Sequence, residues 1–159
     1  RPRSGRPPKH DEATAALIRD GWLYTGDLGC VRGGHLWITG RKKNVIISAA
    51  GKNIYPEELE EKLVAHRWVA ECVVFGRLKA GKQGEEVRAV IVPNFEQLAA
   101  DLGIDPDAPD AEKVNVAMGQ AVETVNEHVA SYKRITGFEV RLTELEKTST
   151  RKVKRFLYK

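Results

Sequence analysis

Pro56-Glu57-Glu58-Leu59-Glu60-Glu61-Lys62-Leu63-Val64 and, four residues further on, Val69-Ala70-Glu71-Cys72-Val73-Val74-Phe75 set a helix immediately before a strand. Pro56 suits the first turn of a helix, where its missing N–H has no intrahelical partner to lose. Glu57, Glu58, Glu60 and Glu61 place negative charge at the positive end of that helix, while Leu59, Leu63 and Val64 form the stripe to be buried. The β-rich run after it is answered by a second, Glu86 to Val92, across a polar, glycine-containing loop from Gly76 to Glu85. Together they predict a hairpin.

Upstream, Gly33-Gly34 supplies the positive φ angles of a tight turn between Cys30-Val31 and Leu36-Trp37-Ile38, with Gly40 ending that strand. A helix is expected over His10 to Arg19, capped by Asp11 and stopped at Gly21. Val45-Ile46-Ile47 reads as a short strand and Ser48 to Asn53 as the loop leading to Pro56. Downstream, Asn94 and Gln97 predict a capped helix ending at Gly103, and Asp105 to Asp110 is a loop. From Ala111 to Tyr132, Val114, Ala117, Met118, Ala121, Val122, Val125 and Val129 recur at spacings of three and four, a helix whose apolar face should cover a sheet. Phe138 to Leu142 alternates as a last strand. Irregular alternation of helices and hairpins argues for an α+β domain with a short β-hairpin and a mainly antiparallel sheet covered by helices.

With 159 residues and 42% hydrophobic content, the chain can bury one real core. Its longest apolar runs are a few residues, far below the ~20 needed to span a bilayer. The start, Arg1 to Pro8, is basic and proline-rich without the apolar segment of a secretory leader, and reads as a loop or an artificial junction. Two cysteines, Cys30 and Cys72, show no metal-ligand spacing and suit reduced thiols in the cytoplasm. His10, His35, His66 and His128 also lack partners at metal spacing, so no metal site is expected. The net charge of +4 comes from clusters at Arg1–Lys9, Arg41-Lys42-Lys43 and Arg151–Arg155. No helix-turn-helix, zinc-finger or aromatic RNA-binding signature accompanies them, which argues against nucleic acid as a partner.

Three segments mix glycine with charge beyond what packing requires: Tyr24-Thr25-Gly26-Asp27, Gly40 to Glu60, and Lys147 to Arg155. Asp27, a carboxylate just ahead of a strand, can accept two hydrogen bonds from a vicinal diol such as ribose, or can merely cap a turn. Taken alone, Lys147 to Lys159 would be a solvated basic tail.

The order of the motifs changes that reading. Asp20-Gly21-Trp22-Leu23-Tyr24-Thr25-Gly26-Asp27-Leu28-Gly29, then Gly40-Arg41-Lys42-Lys43-Asn44-Val45-Ile46-Ile47, then Gly51-Lys52-Asn53-Ile54-Tyr55-Pro56-Glu57-Glu58-Leu59-Glu60, and finally Lys147-Thr148-Ser149-Thr150-Arg151-Lys152-Val153-Lys154-Arg155 resembles the adenylate-forming (ANL) superfamily. That superfamily includes acyl-CoA synthetases, luciferases and peptide-synthetase adenylation domains. The Gly51–Glu58 run and the Lys152-Val153-Lys154-Arg155 ending are most similar to long-chain fatty acid:CoA ligases.

The resemblance implies that residues 1–40 are the end of a large N-terminal adenylation domain and residues 41–159 a C-terminal lid, rotating about a hinge at Lys43. It implies that Asp27 binds the ATP ribose and Arg41 the same nucleotide region. Gly51 would line the pantetheine channel of CoA, with Lys52 and Asn53 beside it. Lys152 would reach the reacting phosphate during adenylation, with Lys154 as the alternative; a positioned ammonium there compensates the charge gathering on the phosphoryl oxygens. Arg151 stands where many relatives carry glycine. The complete protein would use ATP, Mg2+, CoA and a fatty acid. The chain by itself is expected to fold, to bind none of these tightly and to be inactive, because the phosphate-gripping loop and the acyl pocket belong to the domain missing from it. Transfer to a carrier protein, as in an acyl-AMP ligase or a peptide-synthetase module, is the alternative, and the compact hinge favours CoA.

Overall fold

The computed structural model describes residues 17–78, 81 and 83–158. Most of the expected helix over His10–Arg19 lies outside the described residues. Its end is extended instead: β1 (Ile18–Arg19) pairs antiparallel with β2 (Trp22–Leu23) through a turn at Asp20 and Gly21, both at positive φ.

The Gly33-Gly34 hairpin forms as expected between β3 (Asp27–Arg32) and β4 (His35–Arg41), both glycines lying at positive φ. Gly40 does not end the strand. It continues pairing, opposite Leu28, and is the one buried residue of β4. A Cβ on Gly40 would lie 2.7 Å from Glu57 Oε2 and 3.4 Å from the Tyr55 ring, so close approach rather than chain breaking accounts for this glycine. A short 3-10 turn over Lys42–Asn44 follows, then β5 (Ile46–Ile47) paired with β6 (Asn53–Ile54).

Helix α1 (Pro56–Val64) opens on proline as expected. Its buried side is Pro56, Leu59 and Leu63, whereas Val64 faces solvent. β7 (Val69–Leu78) and β8 (Glu85–Pro93) form the predicted antiparallel hairpin. Helix α2 (Phe95–Leu102) is capped by the Asn94 side chain, which accepts from the Gln97 amide, and ends at Gly103 in the left-handed region. Helix α3 (Ala111–Glu127), capped by Asp110, buries Val114, Ala117, Met118, Ala121, Val122 and Val125. It stops short of Tyr132, which lies in a separate 3-10 turn, Ser131–Lys133.

The last strand, β9 (Gly137–Val140), lies parallel to β8, giving the order β7-β8-β9. The sheet is therefore antiparallel on one side and parallel on the other, as a strand returning after crossover helices can be. Alternate residues divide the core. Cys72, Val74, Val87, Ala89 and Ile91 pack with the three helices. Val73, Phe75, Val90 and Val92 face the other way, onto Leu145 with Val153 and Tyr158. Burial on both faces explains why these strands read as nearly continuous apolar runs. Helices cover one face of the sheet, and the C-terminal segment from Leu145 to Tyr158 packs Leu145, Val153 and Tyr158 on the other, unlike the solvated tail that a charge run taken alone suggests.

Candidate functional site

The C-terminal segment is held as a tight hairpin. Lys147 bridges Val153, the Thr148 amide donates to the Lys152 carbonyl at 2.8 Å, and the Lys154 amide donates to the Glu146 carbonyl at 2.8 Å. At the tip, the Arg151 amide donates to the Thr148 carbonyl and the Lys152 amide to Thr148 Oγ1. Closing this turn requires Arg151 at φ 60°, the left-handed conformation that glycine adopts freely. Lys147 anchors the base through Glu71, whose carboxylate holds the Lys147 ammonium above its usual range.

The Gly51 loop is built in the same way. The Ser48 amide donates to the Lys52 carbonyl at 3.0 Å, the Gly51 amide to the Ser48 carbonyl at 2.9 Å, and the Lys52 amide to Ser48 Oγ at 3.1 Å. Gly51 sits at φ 69°. Each loop thus opens on a hydroxyl residue, turns through a left-handed fourth residue and presents a lysine fifth. Among the described residues, its chain neighbours aside, no atom lies within 4 Å of a Cβ built on Gly51. Lys52 and Asn53 are exposed, with the Lys52 ammonium 6.0 Å from the centre of the Tyr132 ring.

Asp27 and Arg41 face each other across β3 and β4, Arg41 Nε donating to Asp27 Oδ1 at 2.9 Å. Gly26, at positive φ, turns the chain into β3, and its carbonyl accepts from the Lys42 amide at 2.8 Å. The ribose candidate and the Lys42–Asn44 turn, which holds the hinge candidate, are therefore tied together.

A cleft of about 670 Å³ joins this region to the C-terminal hairpin, with Arg41, Lys43, Lys152 and Lys154 all on its wall. Lys43 and Lys152 are exposed and, among the described residues, make no ion pair or side-chain hydrogen bond. Lys154 is half-buried and stands 3.7 Å from Glu146 Oε2, so its charge is partly answered already. Gly51, Lys52 and Asn53 lie outside this cleft.

Its floor contains groups that sequence reading passed over. Arg155 donates to Glu60 through both terminal nitrogens and to the Val74 carbonyl at 3.0 Å. Glu60 also accepts from the Val74 amide at 2.6 Å, so the ion pair satisfies both backbone groups of Val74 on the free edge of β7. Burial pushes the Glu60 carboxyl up, and Arg155 and the Val74 amide pull it back only in part. Cys72, whose Sγ lies 3.6 Å from the Glu60 carbonyl, is a buried thiol raised well above its usual range by desolvation and by the Glu60 charge. Glu57 accepts from Asn44 Nδ2 at 2.9 Å and stands 3.8 Å from Arg155. The available signal was the three-residue spacing of Glu57 and Glu60, which places both on one face of α1. Among the described residues no group of three or more His, Cys, Asp or Glu side chains converges as metal ligands.

Residues 58–152 match the family described as AMP-binding enzyme C-terminal domain. A long-chain-fatty-acid–CoA ligase of Mycobacterium tuberculosis, FadD15, is 35% identical over 92% of this chain and 26% of that protein. An indoleacetate–CoA ligase of Aromatoleum aromaticum is 51% identical over 52% of this chain and 16% of its own length. Among solved structures, the o-succinylbenzoate CoA synthetase of Bacillus subtilis in complex with its acyl-adenylate intermediate superposes with a TM-score of 0.69 at 30% identity, covering 91% of this chain and 26% of that one. The chain thus spans about a quarter or less of the length of these relatives. With the motifs in order, the same fold and a family match over more than half its length, the chain belongs to the AMP-binding C-terminal domain family of the adenylate-forming acyl-CoA ligases.

Proposed function

We propose that residues 41–159 are the lid of an AMP-forming fatty acid:CoA ligase, that residues 1–40 end its larger domain, and that the lid turns about Lys43 between two half-reactions. The observation that carries this reading is the pair of matching loops, each offering a lysine, with Lys152 on the cleft shared with the hinge and Gly51 away from it. In one pose Lys152 meets the α-phosphate as a carboxylate attacks it; in the other the open space over Gly51 admits the pantetheine arm. Asp27 and Arg41 hold the nucleotide end. Lys154 is the weaker choice because it already faces Glu146. The two carboxylates on the cleft, Glu57 and Glu60, already face Arg155, so what the described residues offer a nucleotide there is cations for its phosphates.

The larger-domain assignment is supported by the β3–β4 hairpin, most of which, apart from Gly40 at its base, is left uncovered. Val31, Leu36, Trp37 and Ile38 are all more than half exposed, an apolar patch of the kind that marks an interface. Fatty acid as substrate is supported by the Gly51–Glu58 run and by the likeness to FadD15 over nearly the whole chain.

The test separates the half-reactions in the complete protein. Lys152→Ala should slow acyl-AMP formation ~10²–10³-fold, the usual cost of one preorganised donor, while sparing thioester formation from supplied acyl-AMP. Gly51→Leu should do the reverse. Because any such side chain is strained at φ 69°, Gly51→Asn, tolerated in that region, serves as the control for backbone strain. Equal loss in both halves for both variants would end the two-pose assignment.

A further inference from the structure

Among the described residues the Lys152 side chain has no partner, so something else must decide where its ammonium stands. Three residues on, Arg155 is the most firmly held side chain of the C-terminal segment, with three hydrogen bonds to Glu60 and to the β7 edge. Both members of that pair are largely buried, at 20% and 17% side-chain exposure. From Glu60 the connection continues one turn along α1 to Glu57, and from Glu57 Oε1 to Asn44 in the hinge turn. Glu57 keeps this position although its Oε2 is buried without a hydrogen-bond partner against the backbone of Gly40. An orphaned buried acceptor costs about 1–3 kcal/mol. Stability alone does not favour such a placement, whereas a link to the hinge does.

We propose that Arg155, gripped by Glu60 and linked through Glu57 to Asn44, is a positioning residue that fixes the Lys152 hairpin relative to the hinge. The inference rests on the assignment of Lys152 above. Its chemistry is geometric: a charged group aimed at developing phosphoryl charge loses its effect when displaced by about 1 Å, at a cost on the order of 10²-fold in rate.

Glu60→Gln tests this because the glutamine oxygen can still accept from the Val74 amide while the charged fork to Arg155 is lost. In the complete protein this variant should lower kcat for acyl-AMP formation by roughly 10- to 100-fold with KM for ATP and for the acid changed by less than about threefold. Thioester formation from supplied acyl-AMP should stay within about threefold of wild type. Arg155→Lys, which keeps the charge but not the fork, should show the same split. A merely structural pair would depress both halves together, and that result, or an unchanged first half, would overturn the proposal. Lys152→Ala is measured alongside. If it leaves adenylation intact, the assignment of Lys152 fails and the positioning role falls with it; if only the Glu60 and Arg155 variants are silent, the positioning role alone fails.

A second readout needs no activity. In the chain itself, Glu60→Gln should speed hydrogen exchange at the Thr148, Arg151, Lys152 and Lys154 amides by about tenfold or more while leaving the β7–β8 ladder protected. Unchanged exchange at those four amides would contradict a hairpin fixed through Arg155.

Discussion

Arg151 stands at the loop position that Gly51 fills in the other lysine-bearing loop, and its backbone shows what a side chain there costs. At φ 60° an L-residue pays for the approach of its Cβ to the following carbonyl, while glycine pays nothing. Arg151→Gly should therefore stabilise the folded hairpin, offset in part by the greater freedom of glycine in the unfolded chain. We expect a net gain of about 1 kcal/mol or less in urea titrations. Arg151→Val should lose at least as much, because a β-branched side chain resists that region further. A loss of stability in Arg151→Gly would mean that the arginine side chain itself braces the hairpin, contrary to its exposed position. The order of motifs singles out Lys152 in the sequence. Glu57, Glu60 and Arg155 could not be singled out, because charged residues on a helix and in a basic tail look alike whether solvated or paired, and only the tertiary fold brings them together.

Among the elements, those with strong local signals were legible. α1 announced itself by Pro56 and its acidic first turn, α2 by the Asn94 cap and Gly103, α3 by its apolar face at spacings of three and four, and the β3–β4 turn by Gly33-Gly34. The misjudged details share a cause: they depend on what lies opposite. Val64 looked like part of a buried stripe, but α1 packs on a narrower face, and Gly40 looked like a break because the sequence does not show Glu57 lying over it. The parallel placement of β9 is likewise invisible in a strand's own residues. The C-terminal segment was hardest of all, since its sparse apolar positions carry no period. Yet Leu145 is 3% exposed at the centre of the second core cluster. Leu145→Ala should thus cost about 2–4 kcal/mol in chemical denaturation, the range for a buried leucine. A cost below about 0.5 kcal/mol, as for a surface position, would restore the picture of a solvated tail.

For the whole molecule, the fold puts one of its two lysine-bearing loops on the cleft shared with Lys43, the proposed hinge, and leaves the other outside that cleft. A body that must offer first one surface and then another needs such an arrangement, with rigid loops moved as a unit rather than flexible ones rearranged. The exposed β3–β4 hairpin, apolar on both faces, points to a further domain against which this motion would take place. On this account neither part catalyses alone. The direct test is pyrophosphate release with ATP, magnesium and a panel of fatty and aromatic acids, by the complete protein and by this chain. The account predicts release by the complete protein with fatty acids and none by the chain; release by the chain alone, or none by the complete protein with any acid, would contradict it.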